Sequence, residues 1–381
     1  NIPADNIGIY DNFFRLGGSS ILAIKLVNKL NKELVRNISV LAIFNHINIV
    51  SLINYLNNFK EDKETIKPIK VEKVKDQILS FAQERLWFIE KYEKGTNAYN
   101  IPMVFKCRIK TKEEQELFEQ SVKSIVNRHE VLRSLIKEDG RGNRYQEVLD
   151  GKEFPLEIDR IIVSDRKELE KEIKKEVAHI FDLSQEHPIR ICWYEILHDN
   201  FTESKNSEVP TSTTSNNIEL YISIIVHHIA FDGWSVDIFI QELQEYYNYY
   251  SSVSKGLDTT LNLPMLKIQY KDFAIWQRNY LTGERLNKQI DYWKNKLNGY
   301  ETLNLISDRP RPLQINYKGS YVYFEIDEVE SNNLREIAKE LGVSLYSLLL
   351  AGYYLMLRCY SNQEDIVIGS PVANRHYDQV E

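Results

Sequence analysis

The stretch LYISIIVHHIAFDGWS, Leu220 to Ser235, decides how this chain is read. Its first half is β-branched and apolar, the pattern of a buried strand. Two adjacent histidines, His227 and His228, end that run, and Asp232 and Gly233 follow after three more residues. The next segment, SVDIFIQELQEYYNYY, reads as a helix. Three chemistries compete for the double histidine. A neutral imidazole can take a proton near neutral pH and so assist an amine or alcohol attacking a carbonyl, provided that it is held in one orientation. The end of a rigid strand meets that need, and the glycine five residues on leaves room for a substrate arm. The aspartate can either orient the imidazole or pair with an arginine to fix the loop. A shared metal is the weaker reading, because neighbouring strand residues point to opposite faces and no HExxH occurs. The bland reading is one core histidine and one surface histidine beside an Asp-Gly turn.

Working outward, the chain from residue 77 is mixed α/β. SFAQERLWFIEKY is helical, and TKEEQELFEQSVKSIVNRH is a longer amphipathic helix with Leu117, Val122 and Ile125 among its apolar positions. Residues 200–217 are rich in Ser, Thr and Asn and read as a surface insertion. After a polar break at 251–260 come further helices, the run GSYVYFEI, a helix over 331–358 and a strand, DIVIGSPV. The uncharged part of residues 343–360 falls short of the roughly 18 residues of a membrane span, so a buried helix is expected there. Residues 59–76 have the Lys/Glu-rich composition of a linker. No internal repeat is evident.

Composition narrows the function classes. The 381 residues are 43% hydrophobic and 27% charged, with a net charge of −7, which argues against a nucleic-acid binder. Cys107, Cys192 and Cys359 show no CxxC spacing. Each lies in an apolar run, so buried structural thiols in a reducing, cytoplasmic compartment are expected. The opening NIPADNIGIYDNFF is not a signal peptide.

Residues 1–58 read as a small helical unit. SSILAIKLVNKLNKEL sets Leu22, Leu26 and Leu30 on one helix face, and Ser19 or Ser20 can cap it after the Gly17-Gly18 turn. Further helices follow around SVLAIFNH and NIVSLINYLNNF. A phosphodiester on Ser20 would meet the free N–H groups and the positive end of the helix dipole. GGSS alone is equally a plain helix cap. Asp11, Phe13, Phe14, Leu16, Gly17, Gly18, Ser20 and Leu22, however, match D-x-F-F-x-L-G-G-x-S-x-L. The unit therefore resembles the peptidyl carrier (thiolation) domain of non-ribosomal peptide synthetases. The resemblance implies 4′-phosphopantetheine on Ser20, not Ser19, transferred from coenzyme A by a phosphopantetheinyl transferase. It also implies a first helix that this chain does not show.

HHxxxDG resembles the signature of the condensation domains of the same synthetases. SFAQERLWF (80–88), RHEVLRS (128–134), YKDFAIWQ (270–277) and IGSPVANR (368–375) match that family's first, second, fourth and fifth motifs in order. The resemblance spans residues 77–381 and implies two chloramphenicol acetyltransferase-like lobes, one over 77–260 and an incomplete one over 261–381. By resemblance His228 is catalytic and His227 supports the strand. Asp232 is then structural, paired with Arg133 first or Arg375 second, and Gly233 keeps a channel open. The implied reaction joins a donor acyl or peptidyl thioester to the amine of an acceptor on a downstream carrier, within a synthetase that also holds adenylation domains. It needs no metal, nucleic acid or membrane. His228 either takes the proton or stabilises the charged intermediate. The chain ends after the fifth motif, which implies an excerpt with apolar surface left uncovered. An epimerisation domain and a non-catalytic recruitment domain are the alternatives.

Overall fold

The computed structural model describes residues 7–18, 20–34, 38, 41–58, 69–71, 77–92, 96–109, 111–197, 218–310, 319–372, 375 and 378–380. Ser19, most of the linker and the 200–217 insertion lie outside them. The chain divides into two compact units, residues 69–283 and residues 1–68 with 284–381. Residues 261–283 thus pack with the first lobe, beyond the expected boundary at 260.

The expected strand is the centre of the first lobe. β7 (Ile218–His227) pairs antiparallel with β2 (Asn100–Cys107) on one side and β6 (Ile189–Leu197) on the other. β5 (Ile158–Val163) adds in parallel to β6, giving the order β2-β7-β6-β5. The crossover between those parallel strands is α6 (Arg166–Val177), as a parallel pair requires. A smaller sheet holds β1 (Gln77–Ile78), β4 (Arg144–Val148) and β3 (Ser134–Glu138).

β7 has no polar face because both of its faces are covered. Leu220, Ile222, Ile224 and Val226 pack into a core with Val122, Ile125 and Val126 of α5 (Lys112–Arg128) and Phe239 of α7 (Gly233–Ser254). Ile225 turns the other way, towards Leu79, Leu86, Phe181 and Leu183. Fully burying each such side chain contributes about 1.5–3 kcal/mol, so this strand end is a rigid support. α4 (Phe81–Tyr92) and α8 (Tyr270–Tyr280) close the lobe.

The carrier-like unit holds α1 (Ser20–Leu34), α2 (Leu41–Asn45) and α3 (Ile49–Asn58). Its core is Ala23, Val27, Ile38, Ala42, Ile43 and Leu56, with Leu26 and Leu30 packed against it. Leu22 is exposed, so the buried face of α1 lies one position on from the one expected.

The later part corrects several expectations. The helix expected over 331–358 is two, α10 (Glu328–Leu341) and α11 (Leu345–Ser361), bent by 102°. Gly342 takes the left-handed conformation that ends the first (φ 69°), and Ser344 caps the second. α11 is not a buried helix: Leu357 is buried, but Tyr346, Leu349, Tyr353, Leu355 and Tyr360 are exposed. Residues 365–372 form no strand, for no neighbouring strand pairs with them among the described residues. Tyr321, Val322, Tyr323 and Phe324 are also exposed. Among the described residues no single helix is long and apolar enough to cross a membrane, α9 (Gly283–Lys296) included. Cys192 is buried and Cys107 half-buried, and burial pushes their thiols up to about 12 and about 11. Cys359 is exposed, against expectation, because α11 is.

Candidate active site

The two histidines differ in setting: His227 is buried at the end of β7, and His228 is exposed in the turn that follows. His227 is the last residue of β7 and is 1% exposed, with Phe181 edge-on to its ring. Its Nδ1 accepts the Ile229 N–H at 3.1 Å. Nε2 therefore carries the hydrogen and donates to Glu90 Oε1 at 3.2 Å, while Oε2 of the same carboxylate accepts the Thr96 N–H at 3.1 Å. His227 thus pins the turn that follows it. His228 opens that turn and is exposed. Its backbone N–H donates to Tyr99 O at 2.8 Å, and no hydrogen bond to its imidazole is found among the described residues.

Asp232 is the N-cap of α7. Its Oδ1 accepts the Ser235 N–H at 2.9 Å and the Ser235 hydroxyl at 2.6 Å, a capping box. Arg133, expected as its partner, is elsewhere. Its guanidinium donates to the carbonyls of Leu149 and Asn127, beside the 3₁₀ turn Glu130–Arg133. Arg375, the second candidate, donates to Val380 O at 3.4 Å. Gly233 opens α7 outside the left-handed region, and a Cβ placed on it meets nothing within 4 Å. Neither conformation nor packing in this chain demands glycine there.

The motifs around the histidines hold rather than react. Ser80 Oγ meets Tyr270 Oη at 2.9 Å, the Phe81 N–H donates to Gln277 Oε1 at 3.0 Å, and Arg278 donates to Leu79 O at 2.8 Å. The first and fourth motifs therefore clamp α4 to α8. In the second motif, Arg128 and His129 both grip Glu242 of α7, at 2.9 and 2.7 Å. Burial pushes the Glu242 carboxyl up, but His129 and Arg128 outweigh it and hold it below the ordinary carboxylate range. Its folded form thus binds a proton less readily than its unfolded form. The stability it contributes is complete above the ordinary carboxylate range and is lost as pH falls through the lowered value. Glu242→Gln should cost about 3 kcal/mol near pH 7, and the gap to wild type should narrow on acidification in urea melts.

Glu90, Tyr99 and Glu242 were not singled out in the sequence. Glu90 carried a signal: with Gln83 and Leu86 it lies at i, i+3, i+7, the buried face of α4.

Ser20 is the first residue of α1, a helix of 15 residues with no acidic residue in its first turn. Gly17 takes φ 94°, and a Cβ on Gly18 would lie 2.4 Å from the Phe13 ring. Both glycines are needed for the turn that delivers Ser20 to the helix start. The positive end of the α1 dipole, with no acidic residue in its first turn, suits a phosphodiester, so the residues present fit a phosphopantetheine arm. Among the described residues, no group of three or more potential ligands could hold a metal ion.

Residues 1–56 match the phosphopantetheine attachment site family, and residues 73–202 and 211–381 match the condensation domain family. The chain is 35% identical over 374 residues to N-(5-amino-5-carboxypentanoyl)-L-cysteinyl-D-valine synthase of Amycolatopsis lactamdurans, a match covering 98% of this chain and 9% of that protein. It is 35% identical over 380 residues to the synthase of the same name from Penicillium chrysogenum, again covering 98% of this chain and 9% of that one. It therefore spans less than a tenth of the length of these curated relatives. Two solved structures share the fold. The X-domain from teicoplanin biosynthesis has a TM-score of 0.63 at 23% identity, over 77% of this chain and 60% of its own. The first condensation domain of the CDA synthetase has a TM-score of 0.54 at 16% identity, over 80% and 68%.

Proposed function

The chain belongs to the condensation-domain family of non-ribosomal peptide synthetases, with a phosphopantetheine-attachment unit ahead of it, and from that premise we propose that it forms amide bonds. The donor is an acyl or peptidyl group carried at Ser20, and the acceptor is an aminoacyl group on a downstream carrier. A phosphopantetheinyl transferase and adenylation domains of the same synthetase complete the set of partners. The attached arm supplies a thiol that presents the acyl group as a thioester, already activated towards an amine.

The observation that carries the reading is the division of labour at the end of β7. His227 and Asp232 are committed to the turn and to α7, whereas the His228 imidazole stands exposed beside them. His228 takes the proton that the amine sheds as its nitrogen bonds to the acyl carbon, and returns it to the leaving sulfur. Positioning of the two reactants supplies much of the remaining rate. The test is dipeptide formation by the full-length synthetase with both carriers loaded. Absence of dipeptide from a correctly loaded protein would overturn the proposal.

Gly233 offers a second check. Because a Cβ there touches nothing in the chain, Gly233→Ala should leave thermal stability unchanged or slightly raised, within about 1 kcal/mol. If the space belongs to a substrate arm, condensation should fall roughly tenfold or more. Unchanged dipeptide rates in this variant would return Gly233 to plain surface.

A further inference from the structure

Arg133, freed from the role expected beside Asp232, faces a cavity of about 60 Å³ lined by Lys123, Asn127, Phe154, Leu156 and His187. The loop after β4 is pressed tightly against α5 there: a Cβ on Gly151 would lie 2.0 Å from Asn127 Oδ1. Two buried nitrogens at this cavity have no hydrogen-bond partner, Arg133 Nε and His187 Nε2. The other guanidinium nitrogens of Arg133 meet only backbone carbonyls. Arg128, Arg144, Arg190 and Arg278 each meet a carboxylate. Among the described residues no carboxylate lines this cavity, and Asp150, next to Gly151, accepts the Lys152 N–H of its own loop at 2.8 Å. A shielded guanidinium without a counter-charge is costly, and a buried N–H without an acceptor adds to that cost. The space exceeds the roughly 30 Å³ share of one water molecule.

We propose that this cavity holds a small anion of halide size between Arg133 Nε and His187 Nε2. Arg133 donates its Nε–H, and His187, protonated when the anion is present, donates from Nε2. Without the anion, burial holds the His187 pKa below its ordinary value. The Phe154 carbonyl opposes that shift and Arg133 adds to it. Among the described residues, the other charged groups lining the cavity with His187 are Arg133 and Lys123, both cations. An anion reverses that balance, so binding takes up a proton and tightens as pH falls. This site does not depend on the reaction proposed above, although Pro188, next to His187, accepts the His227 N–H at 2.9 Å.

The test is a titration of the full chain with sodium chloride against sodium gluconate at equal ionic strength, since gluconate is too large for the cavity. The His187 imidazole resonance, assigned by its loss in His187→Gln, should shift saturably with chloride and stay still with gluconate. The affinity should be roughly tenfold higher at about pH 6 than at about pH 8. A second measurement is independent of resonance assignment: the gain in Tm with chloride over gluconate should vanish in His187→Gln. A non-saturable shift, equal responses to the two salts, or an unchanged Tm gain in the variant would mean that the cavity holds water only, and would overturn the proposal.

Discussion

Ser20→Ala should abolish phosphopantetheinylation completely. Incubated with coenzyme A and a phosphopantetheinyl transferase, the wild-type chain should gain the mass of one phosphopantetheine, and the variant none. The effect is all or nothing because the serine oxygen is itself the point of attachment. Alanine has the highest helix propensity, so α1 keeps its start and the core of Ala23, Val27 and Leu56 is undisturbed. Ser19 lies next in the chain and is the internal control. If the variant still gains the mass, the modified residue is another one and the match of G-G-x-S to Ser20 is wrong. If wild type gains none while its circular dichroism shows the helices formed, the unit is not a carrier. A Gly18→Ala variant separates display from chemistry. Its Cβ would strike the Phe13 ring and the Phe13 carbonyl, at 2.4 and 2.6 Å, so the turn must shift and modification should slow with Ser20 intact.

How far the sequence could be read follows from which physical signal each element left. β7 was legible because burial on both faces leaves an unbroken apolar run, and α5 because its buried residues keep helical spacing. The opposite fates of His227 and His228 do not follow from alternation, since both faces of β7 are covered; His227 ends the strand inside the core and His228 opens the exposed turn. The break between α10 and α11 was also within reach. Gly342 followed by Ser344 is a stop and a cap, but the apolar periodicity on both sides obscured it. The burial of α11 could not be read, because hydropathy reports what a helix prefers to touch and not what lies beside it. Arg133 and Glu90 fail for a related reason. A polar side chain in a helical turn can reach several elements, and only the fold decides which. Arg133 turned to two carbonyls near its own 3₁₀ turn, and Glu90 to a histidine 137 residues away.

His228→Ala should lower the rate of dipeptide formation by about 10²–10⁴-fold, the range that a positioned proton-transfer group supplies. Stability should barely move. The bond described for His228 is from its backbone N–H to Tyr99 O, which alanine retains, and the side chain is exposed. His227→Ala is the necessary contrast. It removes the Nε2–H to Glu90 and the acceptor for Ile229, and it leaves a carboxylate that is 9% exposed without that partner. Leaving a buried carboxylate and a buried N–H without these hydrogen bonds costs about 1–3 kcal/mol each, so this variant should lose activity through the fold, with a lower Tm and a smaller folded fraction. The two variants therefore separate chemistry from support, where activity alone would not. If His228→Ala condenses at the wild-type rate, the imidazole is not the proton acceptor and catalysis rests on positioning. If instead its Tm falls as far as that of His227→Ala, its lost activity says nothing about proton transfer. The expected pattern, full stability with the rate nearly gone, places the His228 imidazole at the reacting groups and not in the support of the fold.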